Sequence, residues 1–175
     1  LAEDGFNIRG IFERNDVGIR RLEGMEENKG FFKLDGLDIP DSTEVTIVEN
    51  GIKYYVDFEN GQKTGFFVDQ RENRSLLERY SKGKSVLNMF CYTGGFSVYA
   101  LRGGAEVVHS VDSSTKAIAL TDKNVELNFP ADPRHKSFDE DAFKYLNNLH
   151  TFEQKYDLII LDPPAFAKHR EALRN

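Results

Sequence analysis

Hydrophobic and polar positions alternate at period two over much of the first 60 residues. The alternation predicts short strands over residues 5–12, 43–49 and 52–58. Asn50 and Gly51, between the last two strands, form a strong signal for a two-residue hairpin. Residues 16–23 indicate a helical turn or more. The pattern therefore predicts a small α+β domain over residues 1–60.

The period changes at Asp69, where apolar runs begin to alternate with helical segments. Strands are predicted near residues 85–90, 106–111, 135–138 and 156–161. Helices are predicted near residues 69–80, 95–102, 114–128 and 141–150. Strands and helices that alternate in this order indicate a parallel sheet with helices on both of its faces. We therefore predict a Rossmann-like α/β domain over residues 61–175.

The overall composition narrows the class of protein. The chain has 175 residues, 39% of them hydrophobic, which is enough for a sizeable core. Its single cysteine excludes an internal disulfide and fits a reducing compartment. No apolar run approaches the roughly 20 residues that a membrane helix needs, and no signal peptide is visible. These features predict a cytoplasmic chain without a membrane partner.

The charge distribution argues against an independent nucleic-acid binder. The net charge is −6, with 7 basic and 14 acidic residues in positions 1–60 and 16 basic and 15 acidic residues after them. Neither half has the basic balance that phosphate binding favours. The one local basic cluster consists of Arg71, Arg74, Arg79, Lys82 and Lys84. We interpret it as a solvated helix face rather than an RNA contact.

Two predicted strands end in residues suited to a nucleotide-like ligand. The first runs into FCYTGGFS, residues 90–97, where Gly94 and Gly95 let the backbone approach a ligand closely. Asp112 ends the second strand, 18 residues after Gly94, and is placed to accept hydrogen bonds from two ribose hydroxyls. Capping of the next helix is the alternative role for Asp112. The dinucleotide fingerprint GxGxxG is absent, which favours an S-adenosylmethionine (SAM) methyltransferase over a dehydrogenase.

Further acidic residues follow the other two strands. Asp139, Glu140 and Asp141 compete to accept the adenine amino group, with helix capping as the alternative. Asp162 precedes Pro163 and Pro164, which fix an extended loop, and Phe166 either stacks on a base or packs beneath that loop. Amino-group methyltransferases place the aromatic residue directly after the second proline. Ala165 intervenes here, which weakens an amino-group interpretation.

Other candidate groups carry less chemistry. Cys91 is the only cysteine that could act as a nucleophile, but it lies inside the glycine turn and is interpreted as a small buried residue. The four histidines lack metal-ligand spacing, so no metal site is proposed. Ser97 lies in no nucleophile-elbow or triad pattern.

Several motifs together resemble a known family. They are GQKTGFFVDQRENR at residues 61–74, NMFCYTGGF at 88–96 and DPPAF at 162–166, with FERNDV at 12–17 and RLEG at 21–24. The chain resembles the bacterial large-subunit ribosomal RNA cytosine-C5 methyltransferases over nearly all of its length. The resemblance implies a class I SAM methyltransferase sheet, here partial, after a small linking domain. It also implies an RNA-binding PUA domain before Leu1, so we expect a chain truncated at both ends.

The resemblance also implies the ligands and the residues that hold them. Ribosomal RNA would be the substrate and SAM the cofactor. Cofactor binding would fall to Phe66, Gln70, Arg71, Phe90, Cys91, Tyr92, Thr93, Gly94, Gly95, Asp112, Ser113, Asp141, Ala142 and Asp162. Pro163, Pro164 and Phe166 would contact the substrate, and Asp162 is the candidate catalytic residue within the chain. The nucleophilic cysteine would lie beyond Asn175, in a later motif.

Two alternatives stay open. The first is a SAM-dependent methyltransferase that acts on an amino group of a base or a protein. The second is a non-enzymatic binding or dimerisation module, because an uncovered sheet edge can pair with another chain to form a homodimer. We expect this 175-residue piece to be inactive on RNA by itself.

Overall fold

The fold was determined as a computed structural model that describes residue 5, residues 8–33 and residues 39–164. The chain divides into two compact units. The first unit comprises the described parts of Leu1–Val45 with Val56–Phe66, and the second comprises Thr46–Tyr55 with the described residues from Phe67 onward. The predicted domain boundary between residues 60 and 61 stays a prediction.

The first unit contains a small antiparallel pair of strands. Strand β1 (Phe12–Arg14) pairs with β2 (Lys29–Phe31), and the short helix α1 (Ile19–Leu22) lies between them in the chain. The alternation at residues 5–12 predicted a longer and earlier strand, which is wrong for the described residues 8–11. Strand β2 was not predicted, because two glycine-flanked phenylalanines are too short a pattern to recognise. Pairing with β2, rather than local alternation, fixes where β1 lies.

Three aromatic rings form the centre of this unit. Phe12 lies edge-on to Phe31 and to Phe58, with ring centroids 5.0 and 5.1 Å apart. Arg14 closes one side by donating hydrogen bonds to the carbonyl oxygens of Phe58 at 3.1 Å and Gly61 at 2.7 Å. These long-range contacts order a unit that has little regular secondary structure.

The predicted hairpin is confirmed. Strands β3 (Glu44–Glu49) and β4 (Ile52–Asp57) are joined by Asn50 and Gly51, whose φ angles of 49° and 83° are those that a tight hairpin turn requires. Asparagine and glycine adopt positive φ with little cost, which explains why this pair marks the turn. Residues 46–55 of the hairpin belong to the second unit.

The second unit contains a four-stranded parallel sheet. The strands are β5 (Ser85–Met89), β6 (Val107–Asp112), β7 (His135–Asp139) and β8 (Leu158–Leu161). The helices are α2 (Arg71–Tyr80), α3 (Gly95–Arg102), α4 (Thr115–Asn128) and α5 (Ala142–Thr151). The strand order is β7-β6-β5-β8, and all three pairings are parallel. This order is that of a Rossmann-like α/β fold, and the predicted fold class is confirmed.

Helices cover both faces of this sheet. On one face Leu87, Met89 and Val111 pack with Ala142 and Tyr145 of α5. The other face contacts α3 and carries the buried side chains of Val86 and Val108 together with those of Asn88 and Ser110. Both faces therefore contribute to the apolar core, and the α3 face also contains buried hydrogen bonds.

A chain of buried hydrogen bonds runs across the α3 face. The Asn88 amide donates to the Ser97 hydroxyl at 2.9 Å, and Ser97 bonds to Ser110 at 2.7 Å. Ser110 in turn contacts Nε2 of His135 at 2.9 Å. Burial lowers the pKa of His135, outweighing the nearby Asp122 carboxylate. Ser97 is therefore a structural residue, and His135 is held in its neutral form.

A buried ion pair joins the hairpin tip to α2. Arg74 donates from Nε and Nη2 to the two carboxylate oxygens of Glu49, at 2.8 and 2.7 Å. The Arg74 and Glu49 side chains are only 3% and 8% exposed. The interpretation of the basic cluster as a solvated face is therefore wrong for Arg74. A bidentate carboxylate partner is what allows an arginine to be buried at this position.

Removing one partner of this ion pair should destabilise the second unit strongly. We expect Arg74→Ala to lower the free energy of unfolding by about 3–5 kcal/mol, because it leaves the Glu49 carboxylate buried and unpaired. Urea unfolding followed by circular dichroism measures the change. Arg79→Ala, an exposed position on the same helix, is the control and should cost under about 0.5 kcal/mol. A loss below about 1 kcal/mol for Arg74→Ala would contradict this role.

His135 should make stability fall on acidification. Its folded pKa lies below the unfolded value of about 6.5, so the unfolded state binds more protons in that interval. The stability that neutral His135 contributes is present above pH about 6.5 and is lost as the pH falls toward the folded pKa. We expect His135→Gln to flatten the pH dependence of the unfolding free energy between pH 7.5 and 5. His150→Gln, at an exposed position, should retain the wild-type dependence, and equal slopes in all three proteins would refute the assignment.

Candidate cofactor site

Four of the predicted site residues lie along one edge of the sheet. Asp112 is the last residue of β6, and Gly94, Asp141 and Asp162 follow β5, β7 and β8, respectively. Because these strands are parallel neighbours, their carboxyl ends meet at the same edge. In open α/β sheets this edge is where ligands bind. The structure thus brings together the four strand ends from which the sequence predicted a ligand site.

The loop after β5 has an unusual backbone. Phe90, Tyr92 and Gly94 have φ angles of 55°, 50° and 74°, all in the left-handed region. Phenylalanine and tyrosine seldom adopt this conformation, which costs of order 1–3 kcal/mol and concentrates at functional sites. Gly94 is the N-cap of α3, and a Cβ there would lie 2.6 Å from the Thr121 methyl group. We refer to residues 90–94 as the cofactor loop.

Asp112 bonds to the cofactor loop. Its carboxylate accepts from the backbone N–H of Tyr92 at 2.9 Å and from that of Ser114 at 2.9 Å. The N-cap of α4 is Ser114, whose hydroxyl accepts from Ala117, so the capping alternative for Asp112 is wrong. A carboxylate has about four acceptor sites, and each Asp112 oxygen uses one for the backbone N–H. The remaining acceptor capacity suits a pair of vicinal hydroxyls.

Cys91 is buried within the cofactor loop. Its side chain is 6% exposed, and its Sγ lies 3.7 Å from the Thr121 hydroxyl. Burial raises the pKa of this thiol to about 12. A thiol protonated at neutral pH is a poor nucleophile, so the structure agrees with the interpretation of Cys91 as a small buried residue.

The three acidic residues after β7 have different partners. Asp139 accepts from the Thr115 hydroxyl, and Glu140 pairs with Lys144 at 3.0 Å. Asp141 is the N-cap of α5 and accepts from the Lys144 backbone N–H at 3.0 Å through one oxygen. The capping alternative therefore holds for Asp141. Its second oxygen has no hydrogen bond among those described, and the adenine role stays a prediction.

The segment before α2 lies beside the cofactor loop. The Phe67 ring contacts the Tyr92 ring, with centroids 5.4 Å apart, and the Phe67 carbonyl accepts from Arg74 at 3.0 Å. Gln70 accepts from the Asn73 amide at 2.7 Å, and Arg71 pairs with Glu72 on the surface. Sequence reasoning did not identify Phe67.

Phe66 has a separate backbone constraint. It is buried in the first unit and follows Gly65, whose φ is 83° and where a Cβ would lie 2.5 Å from the Asp57 carbonyl oxygen. Only glycine fits so close to another backbone. The backbone position of Phe66 thus depends on the glycine before it. Its role in cofactor binding stays a prediction.

The end of β8 opens into a groove. Asp162, Pro163 and Pro164 are exposed, and Phe166 lies outside the described residues. The groove has a volume of about 450 Å³. It is lined by Gln70, Asn73, Leu76, Leu77, Tyr80, Phe96, the strand residues Ile159, Ile160 and Leu161, and Asp162. The substrate role of Pro163, Pro164 and Phe166 stays a prediction.

The described residues contain neither a metal-ligand cluster nor a helix that could span a membrane. Across residues 8–33 and 39–164, no three histidine, cysteine, aspartate or glutamate side chains converge as metal ligands would. None of the helices in those ranges combines the length and the hydropathy needed to span a bilayer.

Comparison with known proteins identifies the family. The S-adenosylmethionine-dependent methyltransferase family matches residues 37–174, most of the chain. The chain belongs to this family. A methyltransferase of this kind agrees with the fold, and SAM is the cofactor of the family.

A curated relative shows a closer similarity. Ribosomal RNA large subunit methyltransferase I from Tolumonas auensis is 46% identical over 164 residues, which cover 93% of this chain and 40% of the relative. The chain therefore spans about two fifths of the length of the curated relatives it matches.

Solved structures share the fold. A protein described as a methyltransferase complexed with S-adenosylhomocysteine (SAH) is 38% identical to this chain, with a TM-score of 0.70. The match covers 82% of this chain and 37% of that one. The SAM-dependent methyltransferase from Agrobacterium tumefaciens is 25% identical, with a TM-score of 0.72 and coverage of 95% and 50%.

The residues at this methyltransferase sheet edge fit SAM. Asp112 offers carboxylate lone pairs where a ribose needs acceptors, and the cofactor loop has the strained backbone expected beside a ligand. Asp141 offers a carboxylate oxygen at the next strand end. The geometry thus matches the chemistry of a nucleoside with two ribose hydroxyls and an exocyclic amine.

Removing the Asp112 carboxylate should weaken SAH binding. We expect Asp112→Ala to reduce the binding free energy by about 1–3 kcal/mol, because ribose hydroxyls would lose their acceptor. The melting temperature should fall as well, since the Tyr92 N–H loses its partner. Isothermal titration calorimetry with SAH measures the affinity, with Glu106→Ala, at an exposed position, as the control. Wild-type affinity in Asp112→Ala would reject the ribose role.

Proposed function

We propose that this chain is the cofactor-binding part of a ribosomal RNA methyltransferase that methylates a large-subunit cytosine at C5. The observation that carries the proposal is the 46% identity to a protein named ribosomal RNA large subunit methyltransferase I over 164 residues, which cover 93% of this chain. The resemblance of the GQKTGFF and FCYTGGF motifs to the cytosine-C5 family supports the choice of atom. A ribosomal RNA substrate also favours a cytoplasmic location.

The proposal assigns a role to each strand end. Asp112 and Ser113 bind the ribose, the cofactor loop and Gly95 lie against the amino-acid part of SAM, and Asp141 with Ala142 binds the adenine. Phe66, Gln70 and Arg71 are assigned to cofactor binding because the family resemblance implies this role. Asp162, Pro163, Pro164 and Phe166 present the target base. SAM, when bound, supplies an electrophilic methyl group.

Methylation at cytosine C5 needs a nucleophile that the described residues do not provide. Cytosine C5 becomes reactive only after a thiolate adds to C6. The C5 carbon then takes the methyl group, a base removes the C5 proton, and the carbon–sulfur bond breaks to release the enzyme. Cys91 is the chain's single cysteine, and its buried thiol has a pKa raised to about 12. We therefore assign the nucleophile to a cysteine elsewhere in the full-length protein.

We also assign the main RNA-binding region to a part of the full-length protein outside these residues. The chain carries a net charge of −6, which opposes approach to phosphate. The relatives are about two and a half times as long as the matched region, which leaves room for an RNA-binding domain such as the PUA domain that the resemblance implies. Binding of SAM and binding of RNA are thus proposed to reside in different parts of the protein.

Methyl transfer by the full-length protein tests the proposal. We expect radiolabelled methyl groups to reach unmodified large-subunit ribosomal RNA, and nuclease digestion with mass spectrometry to identify 5-methylcytidine. Cys91→Ser should keep transfer at a comparable rate, because a buried thiol takes no part in the chemistry. An amino-methylated nucleoside, methylated protein or no transfer would overturn the proposed substrate and atom. Loss of transfer in Cys91→Ser with SAH binding intact would return the nucleophile role to Cys91.

A further inference from the structure

We propose that Thr121 and Asn124 of α4 are positioning residues that hold the strained cofactor loop in the shape that binds the cofactor. Neither belongs to a sequence motif, and both side chains are fully buried. The identity of the ligand rests on the proposed function, whereas the shape of the loop does not. The two residues lie one helical turn apart and contact adjacent carbonyl groups of the loop.

Thr121 fixes the middle of the loop. Its hydroxyl donates to the Tyr92 carbonyl oxygen at 2.9 Å, and its Oγ1 lies 3.7 Å from the Cys91 sulfur. Its methyl group occupies the space that a side chain on Gly94 would need. Thr121 therefore contacts three of the five loop residues, including Tyr92 and Gly94 with their positive φ angles.

Asn124 links the loop to the hairpin. Its amide nitrogen donates to the Thr93 carbonyl oxygen at 2.9 Å, while its amide oxygen accepts from the Tyr55 backbone N–H at 2.8 Å. One buried amide thus uses its donor on the cofactor loop and its acceptor on strand β4. A carbonyl that is turned inward and bonded in this way cannot rotate without losing a buried hydrogen bond.

Asn128 provides a comparison within the same helix. One turn after Asn124, it bonds to β4 in the same manner, accepting from the Lys53 N–H at 3.0 Å and donating to the Lys53 carbonyl at 2.8 Å. Its printed partners are Lys53 and the Asn124 backbone, and none of them lies in the cofactor loop. Asn128 thus shares the hairpin contact of Asn124 but not the loop contact.

These contacts explain how a costly backbone is maintained. Left-handed phenylalanine and tyrosine persist only where surrounding structure determines them. The Tyr92 and Thr93 carbonyls accept hydrogen bonds from α4, and the Tyr92 N–H donates to Asp112. Both backbone acceptors and a backbone donor of the loop are therefore held by hydrogen bonds. A loop that is already ordered loses less entropy when a ligand binds.

The first experiment compares Asn124→Asp with Asn128→Asp in the full-length protein. A carboxylate keeps the acceptor for the β4 N–H but cannot donate to the Thr93 carbonyl, so Asn124→Asp releases the loop specifically. We expect calorimetry to show SAH affinity reduced at least tenfold in Asn124→Asp and within twofold of wild type in Asn128→Asp. Both variants should lose melting temperature, because Asn124→Asp loses the bond to the Thr93 carbonyl and places a charge in the core, whereas Asn128→Asp loses its donor to the Lys53 carbonyl. Equal affinity changes in the two variants would overturn the proposal.

A second pair of variants avoids placing a charge in the core. Thr121→Val keeps the volume and the methyl group but removes the donor to Tyr92, and Thr121→Ser restores the hydroxyl. We expect Thr121→Val to weaken SAH binding at least fivefold and Thr121→Ser to recover most of it. A merely structural role would make affinity follow melting temperature across the set. Wild-type affinity in Thr121→Val would remove Thr121 from the proposal.

Hydrogen exchange distinguishes a failure of the positioning role from a failure of the proposed function. In ligand-free protein, we expect backbone amides of residues 91–95 to exchange faster in Asn124→Asp and Thr121→Val, and unchanged rates in Asn128→Asp. Unchanged exchange in the first two variants would refute the positioning role whether or not SAH binds. If the wild-type protein does not bind SAH but the variants show the expected differences in exchange, the proposed function is refuted and the positioning role stands.

Discussion

The buried ion pair between Glu49 and Arg74 is the interaction on which the second unit depends. It neutralises two charges inside the unit and joins the hairpin tip to α2. Arg74 also bonds to the Phe67 carbonyl, and its Cδ atom would lie 3.2 Å from a Cβ placed on Gly95. A single guanidinium thus reaches the segment before α2 and the start of α3. Because moving either side chain away would leave a buried charge without its partner, the ion pair holds the hairpin tip and α2 together.

Much of the candidate site's placement in the fold could be predicted from the sequence because its signals are local. Asn50 with Gly51 marks a turn by backbone conformation alone, and the alternation of strands with helices placed Gly94 and Asp112 at neighbouring strand ends. Residue roles that depend on tertiary partners were harder to recognise. Arg74 was read with its exposed neighbours, since nothing in its local sequence indicates a buried carboxylate partner 25 residues earlier.

The supporting residues of α4 did carry a signal that could have been used. The buried stripe of this helix includes Ala117, Ile118, Thr121, Asn124 and Val125 at helical spacing. Two polar residues within an otherwise apolar stripe must be hydrogen-bonded when buried. Their partners, the carbonyl groups of a loop 30 residues earlier, follow from the fold and not from any motif.

The burial of Cys91 makes the protein's own loop observable. These 175 residues contain a single thiol, and it lies inside the cofactor loop. A thiol reagent reaches such a side chain only during local opening of the surrounding structure. The rate of alkylation at Cys91 therefore reports the opening equilibrium of the cofactor loop, without a label or a substitution. Cys91 is therefore a built-in probe of local dynamics in the cofactor loop.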